Sequence, residues 1–100
     1  MANSHMAYEL SLEADKDLED IFDYTVEKFG FDQAIMYVSS FEDTFESLCS
    51  NPKSGRERPE IREELRSIVK ESHVVFYRIL RSKIRIIRVL HSSRDVIKYL

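Results

Sequence analysis

The chain predicts an α+β domain of order β-α-α-β-β-β, an antiparallel helical hairpin packed on a small, mostly antiparallel sheet. Three observations predict it. The chain opens on apolar–polar alternation, passes through two stretches of helical periodicity with almost nothing between them, and closes on three strand-like apolar runs.

Each element has a local reason. Tyr8, Leu10 and Leu12 alternate with Glu9, Ser11 and Glu13, the pattern of a half-buried strand. From Ala14 the period changes: Leu18, Ile21, Phe22, Val26 and Phe29 fall three and four apart and form one helical stripe. Asp15, Asp17, Glu19 and Asp20 crowd the start of that helix, where its dipole favours anions. Gly30 supplies a left-handed stop. Asp32 is placed to cap a second helix with the stripe Ala34, Tyr37, Val38, Phe41, Phe45 and Leu48. So short a join makes the pair an antiparallel hairpin. Cys49 follows Leu48 on the stripe and reads as a buried thiol.

Asn51 and Pro52 end the second helix. Residues 51–64 form a polar connector with Gly55 and Pro59, in which 60–64 can make one helical turn. The remaining strands fall at 65–70, 74–80 and 84–90. Residues 92–100 are a tail, with a short helix around Val96, Ile97 and Leu100.

The 100 residues make a single domain, 6–100, after an expression-tag remnant at 1–5 in "MANSHM". No apolar run approaches the ~20 residues that span a bilayer. The single cysteine excludes an internal disulfide and suits a reducing cytoplasm. The net charge of −3 hides an asymmetry. Residues 1–50 carry twelve acids against Lys16 and Lys28, a formal −10, whereas residues 51–100 carry thirteen lysines and arginines against six acids, a formal +7. Two differently charged surfaces follow. The basic half suits nucleic acid, an enzyme of nucleic acid or an acidic peptide, or else it protects sheet edges against pairing.

The last two strands pose a problem of cover. With a two-residue turn at Ser82-Lys83, Val75, Tyr77 and Ile79 share a face with Ile84, Ile86 and Leu90. Val74, Phe76 and Leu80 share the other with Ile87 and Val89. Two helices clothe only one such face. The second is then a binding surface, unless the connector and tail fold back over it.

The succession "YELSLEADKDLEDIFDYTVEKFG", "QAIMYVSSF", "NPKSGRE", "LRSIVKESHVVFYRI" and "IRIIRVLHSSRD" resembles the ParE toxins of the RelE/ParE toxin–antitoxin superfamily, from Tyr8 to about Asp95. That resemblance implies a bacterial toxin that poisons DNA gyrase by binding it, so blocking replication. It also implies neutralisation by a cognate ParD-like or other DNA-binding antitoxin, whose flexible part wraps the toxin. Operator DNA is then met only through the antitoxin, and no cofactor or membrane is involved. The resemblance and the face argument together assign Arg88, His91, Arg94, Asp95 and Lys98 to gyrase contact. They assign Val74, Phe76, Arg78, Leu80, Arg85, Ile87 and Val89 to the antitoxin. Homodimerisation through the apolar face is left open.

RelE-like relatives instead cleave ribosome-bound message, with basic residues around the phosphate and a group that moves a proton. In several of them arginine follows the histidine equivalent to His73, where this chain has Val74. Their C-terminal catalytic tyrosine or histidine is not clearly matched, although His91, Tyr99 and Ser92-Ser93 lie nearby. The expectation is a binding toxin rather than an enzyme. The alternatives are a ribosome-dependent nuclease and a non-toxic homologue that retains antitoxin binding. His73 is expected to satisfy a neighbouring backbone group and His91 to bond Asp95. Two histidines and one distant cysteine make no metal site.

Overall fold

The computed structural model describes residues 6–100; the tag-like residues 1–5 lie outside the described residues. The order is β1 (Ala7–Leu10), α1 (Leu12–Phe29), α2 (Phe31–Ser50), β2 (Arg56–Glu57), β3 (Arg66–Lys70), β4 (His73–Ile79) and β5 (Lys83–His91). The strands form one sheet in the order β1-β5-β4-β3-β2, antiparallel throughout except where β1 runs parallel to β5. The expected α+β arrangement holds, with β2 added from within the connector. The two residues of β2 are too few to carry a periodic signal.

Ser11 joins β1 to α1. Its hydroxyl accepts from Ala14 N–H at 2.9 Å as the helix cap, and donates to the Ile87 carbonyl at 2.7 Å. Its own N–H donates to Ile86. The first helix is thereby pinned to the middle of β5. Gly30 is the only residue between the helices, with φ 95° and ψ 166°. Positive φ was expected, but the extended ψ sets a sharper corner than a left-handed turn. With one joining residue, Asp32 lies inside the first turn of α2, and that helix has no side-chain cap bond. Phe29, assigned to the buried stripe, is 70% exposed because α1 ends at the open corner of the hairpin.

Ala14, Leu18, Ile21, Phe41, Phe45, Leu48 and Cys49 from the helices meet Val75, Tyr77, Ile84, Ile86 and Val89 from the sheet. Burial pushes the Cys49 thiol up from its ordinary value, which fits a packing role. Tyr77 is fully buried, yet its hydroxyl is satisfied: it donates to the Pro52 carbonyl at 2.6 Å and accepts from Gly55 N–H at 2.9 Å. A Cβ at Gly55 would lie 2.6 Å from Tyr77 Cε1 and 2.9 Å from the Ser67 carbonyl oxygen, so only glycine fits there.

The β4–β5 hairpin departs from the expected register in two ways. Its turn is Arg81-Ser82, with Leu80 N–H donating to the Lys83 carbonyl and Ile79 opposite Ile84. A β-bulge then places Phe76 opposite Arg88 but Tyr77 opposite Ile86, leaving Ile87 as the extra residue. One extra residue reverses the alternation beyond it. Val89, assigned to the second face, is therefore in the main core, and Leu90, assigned to the helix side, is on the second face.

That second face is also not bare. Leu65, Phe76 and Leu90 are buried there, with Ile61 of the connector and Val96 and Leu100 of the tail packed against them. The expectation of an uncovered face is corrected: the connector and tail fold back, as the alternative allowed. The acidic half of the chain makes the helical layer and β1, and the basic half makes the rest of the sheet.

Candidate functional site

A groove of about 1300 Å³ runs along α1, bounded by Tyr37 of α2, the β3–β4 turn, the end of β5 and the tail. Its α1 wall presents Leu12, Glu13, Lys16, Asp20, Tyr24 and Phe29, one or two per turn. His73 and His91 meet at its floor, where β4 and β5 place them directly opposite each other. Their rings are 5.3 Å apart, edge to face.

His73 shares a 2.8 Å hydrogen bond with the Tyr37 hydroxyl, not with a backbone group as expected. Burial holds the His73 pKa below its ordinary value, with His91 adding to the effect and Asp17 opposing it. His91 is exposed, and its Nδ1 accepts from Ser93 N–H at 3.1 Å, so the expected bond to Asp95 is replaced by a local one. Asp95 instead accepts from Ile97 N–H, capping the 3-10 turn Val96–Lys98.

The end of the groove is organised by Arg88. Its guanidinium reaches α1, where Nε and Nη2 each donate to Asp17 at 2.8 Å. Asp17 Oδ2 also accepts from Val89 N–H at 2.9 Å. The carboxylate raises the Arg88 pKa above its ordinary value. Arg88 and Arg94 both lie against the Tyr99 ring, 5.4 and 5.2 Å from its centre, and Arg94 donates to the Tyr99 hydroxyl at 2.9 Å.

Of the residues assigned to gyrase, Arg88, His91 and Arg94 come together on the groove, while Asp95 and Lys98 lie on the exposed tail outside its lining. Of those assigned to the antitoxin, Val74, Phe76 and Ile87 belong to the second-face cluster. Arg78 and Arg85 stand opposite each other, paired with Glu64 and Glu9. Leu80 is half-buried at the hairpin turn, and Val89 is in the core, apart from the rest. Sequence reasoning gave Asp17 and Tyr37 no site role and named Tyr99 only as lying near the place of the relatives' catalytic group. Asp17 had a detectable signal: it lies four residues before Ile21, on the buried side of the stripe, where an acid needs a partner. The other two become visible only once the strands are assembled.

The chemistry of the groove is constrained by its charges. The lining cations besides histidine are Lys16, Arg88 and Arg94, and the acids are Glu13, Asp17, Asp20 and Glu71. Arg88 is bound to Asp17, Arg94 to Tyr99, and Lys16 lies 3.4 Å from Asp20. A phosphodiester would meet more carboxylate than cation. Among the described residues, no group of three or more His, Cys, Asp or Glu side chains is placed to hold a metal ion, and no helix is long and apolar enough to cross a membrane.

This fold is shared with solved toxin–antitoxin proteins. It matches a chain of the chromosomal ParDE system of P. aeruginosa (TM-score 0.77, 22% identity, covering 89% of this chain and 98% of that one). It also matches a chain of the RelBE2 complex of Mycobacterium tuberculosis (TM-score 0.60, 20% identity, covering 87% and 98%). In sequence, residues 8–96 match the family model for the ParE toxin of the type II toxin–antitoxin system parDE. Toxin ParE1 of Mycobacterium tuberculosis is 38% identical over 90 residues, covering 89% of this chain and 92% of that protein. Toxin ParE1 of Caulobacter vibrioides is 38% identical over 88 residues, covering 88% and 91%. The chain belongs to the ParE toxin family.

Proposed function

We propose that this toxin acts by binding DNA gyrase and blocking replication, and that a cognate antitoxin neutralises it. Family membership supports the class of target, and the named partners of its structural relatives support the antitoxin. The observation that carries the non-catalytic reading is the groove's charge. A ribonuclease needs free cations to stabilise a phosphate as charge develops on it. Here the arginines are engaged, by Asp17 and by Tyr99, and acids outnumber the lysine and arginines.

Gyrase contact is assigned to the exposed end of the molecule, at His91, Arg94, Asp95 and Lys98, with Arg88 as the inner support of Arg94 and Tyr99. The antitoxin is assigned to the basic rim of the second sheet face, with Arg78 and Arg85 as charged anchors. Such a target places the protein in the cytoplasm. Purified toxin is expected to inhibit supercoiling by gyrase at near-stoichiometric ratios, and Arg94→Ala with Lys98→Ala to weaken that inhibition by an order of magnitude or more. Full supercoiling activity at excess toxin defeats the reading. Codon-positioned cuts in ribosome-bound message after induction favour the nuclease alternative, and normal growth after induction favours a non-toxic homologue.

A further inference from the structure

Arg78 and Arg85 stand directly opposite each other across β4 and β5. Their neighbours Tyr77, Ile79, Ile84 and Ile86 pack into the main core, so both guanidinium groups belong to the second sheet face. Like charges directly opposite on one face destabilise a pair of strands. Lys83, two residues before Arg85, shares that side, and Glu9 of β1 holds both. In this cluster three cations face two carboxylates, Glu9 and Glu64.

The Arg78 contact is half made. Its Nη2 donates to Glu64 Oε1 at 2.9 Å, whereas Nε, on the same edge of the guanidinium, is buried with no hydrogen-bond partner among the described residues. Arg88 shows that edge complete, with Nε and Nη2 each bonded to an oxygen of Asp17. Buried donors are rarely left unpaired, and an oxyanion presenting two oxygens is the acceptor this edge matches. Glu64 is a weak occupant. Its side chain is 70% exposed, it lies in the connector rather than in a strand, and its φ of 64° is one that residues bearing a side chain seldom adopt. With Glu64 turned out to solvent, three positive charges stand against Glu9 alone.

We propose that Arg78 and Arg85 form a binding site for a dianionic phosphate group, which takes the place of Glu64 and completes the Nε and Nη2 edge of Arg78. The dianion matches the charge that the departing carboxylate leaves, and Arg85 opposite supplies donors to the remaining oxygens. Because Nε and Nη2 share one edge, an oxyanion arriving where Glu64 now sits meets both. The site stands apart from the proposed function, since no partner protein takes part in it.

The test titrates the full-length chain with inorganic phosphate, adenosine monophosphate and acetate at constant ionic strength and pH 8, where a phosphate monoester is dianionic. Calorimetry reads the affinity, and the arginine Nε resonances locate the site. Both phosphates are expected to bind saturably at one site, with the Arg78 Nε resonance moving most and acetate binding at least tenfold more weakly. Tighter binding of adenosine monophosphate assigns the site to a nucleotide, and equal affinity assigns it to the phosphate group alone. Glu64→Gln, which removes the competing carboxylate, is expected to tighten phosphate binding several-fold. Arg78→Lys, which keeps the charge but not the two-pronged edge, is expected to weaken it at least tenfold. The proposal is overturned by the lack of saturable binding at millimolar phosphate, by shifts confined to other arginines, by acetate that binds as well as phosphate, or by a Glu64→Gln chain that binds no better. The unaltered chain and Glu64→Gln decide the matter even if Arg78→Lys fails to fold. Neither gyrase nor antitoxin enters these measurements, so this site and the proposed function fail separately.

Discussion

Asp17 is an acid near the start of an acidic helix, but its carboxylate is turned inward and carries three hydrogen bonds, two from Arg88 and one from Val89 N–H. Removing one member of such a pair leaves the other as an uncompensated, largely buried charge. Asp17→Ala is expected to lower the unfolding free energy by about 3 kcal/mol. Arg88→Ala also leaves the carboxylate stranded. The double variant should therefore lose less than the two single losses together, by more than ~1 kcal/mol. Urea denaturation of all four proteins measures this. Additive losses would show that the pair contributes no coupling and that Asp17 matters only through its backbone bond. The positions of Arg94 and Tyr99 follow from this pair, because Tyr99 is stacked on Arg88 as well as on Arg94.

The helical hairpin and the β4–β5 hairpin each depend on one backbone irregularity. At Gly30 the φ and ψ values fall in a region that side-chain-bearing residues almost never enter, although a Cβ there would meet nothing within 4 Å. The cost of substitution is therefore backbone strain alone. Gly30→Ala should destabilise by roughly 1–3 kcal/mol, and spectra of the sheet should not change. A loss below the error of a denaturation curve would mean that the corner relaxes freely. In β5 the bulge at Ile87 has a larger consequence, because it decides which side chains point to α1. It sends Val89 to the core and Leu90 to the second face.

For the whole molecule, the −10 and +7 halves meet at Asp17–Arg88, between α1 and the sheet, and at Glu9–Lys83 and Glu9–Arg85, between neighbouring strands of it. Lys83 first and then Arg85 hold the Glu9 pKa below its ordinary 4.5. His73 titrates between the layers with its pKa lowered from 6.5. Below about pH 6.5 the unfolded chain takes up that proton before the folded chain does. Stability contributed by neutral His73 is therefore complete above that pH and falls as the pH drops toward the folded value. Urea midpoints between pH 8 and 5 should decline in this window, and His73→Gln should flatten the decline. An unchanged profile in the variant would show that His73 titrates equally in both states. The Glu9 contribution belongs to a lower window, below its ordinary 4.5, and survives that substitution.

Local signals determined the elements. Alternation marked β1, three-and-four spacing marked both helices, and β-branched runs marked β3 to β5, because each pattern reports which side of a backbone meets the core. The charge split between the halves was equally plain, and so was the family, through the succession of motifs along the chain. Only the assembled tertiary structure decided the turn at Arg81-Ser82, the bulge at Ile87, the partner of Asp17 and the fate of the second face. A bulge is one residue of mismatch between two strands, and neither strand alone encodes it. Cover for a sheet comes from segments such as Ile61 and Val96–Leu100, whose short apolar content has no periodicity until a surface is present to receive it.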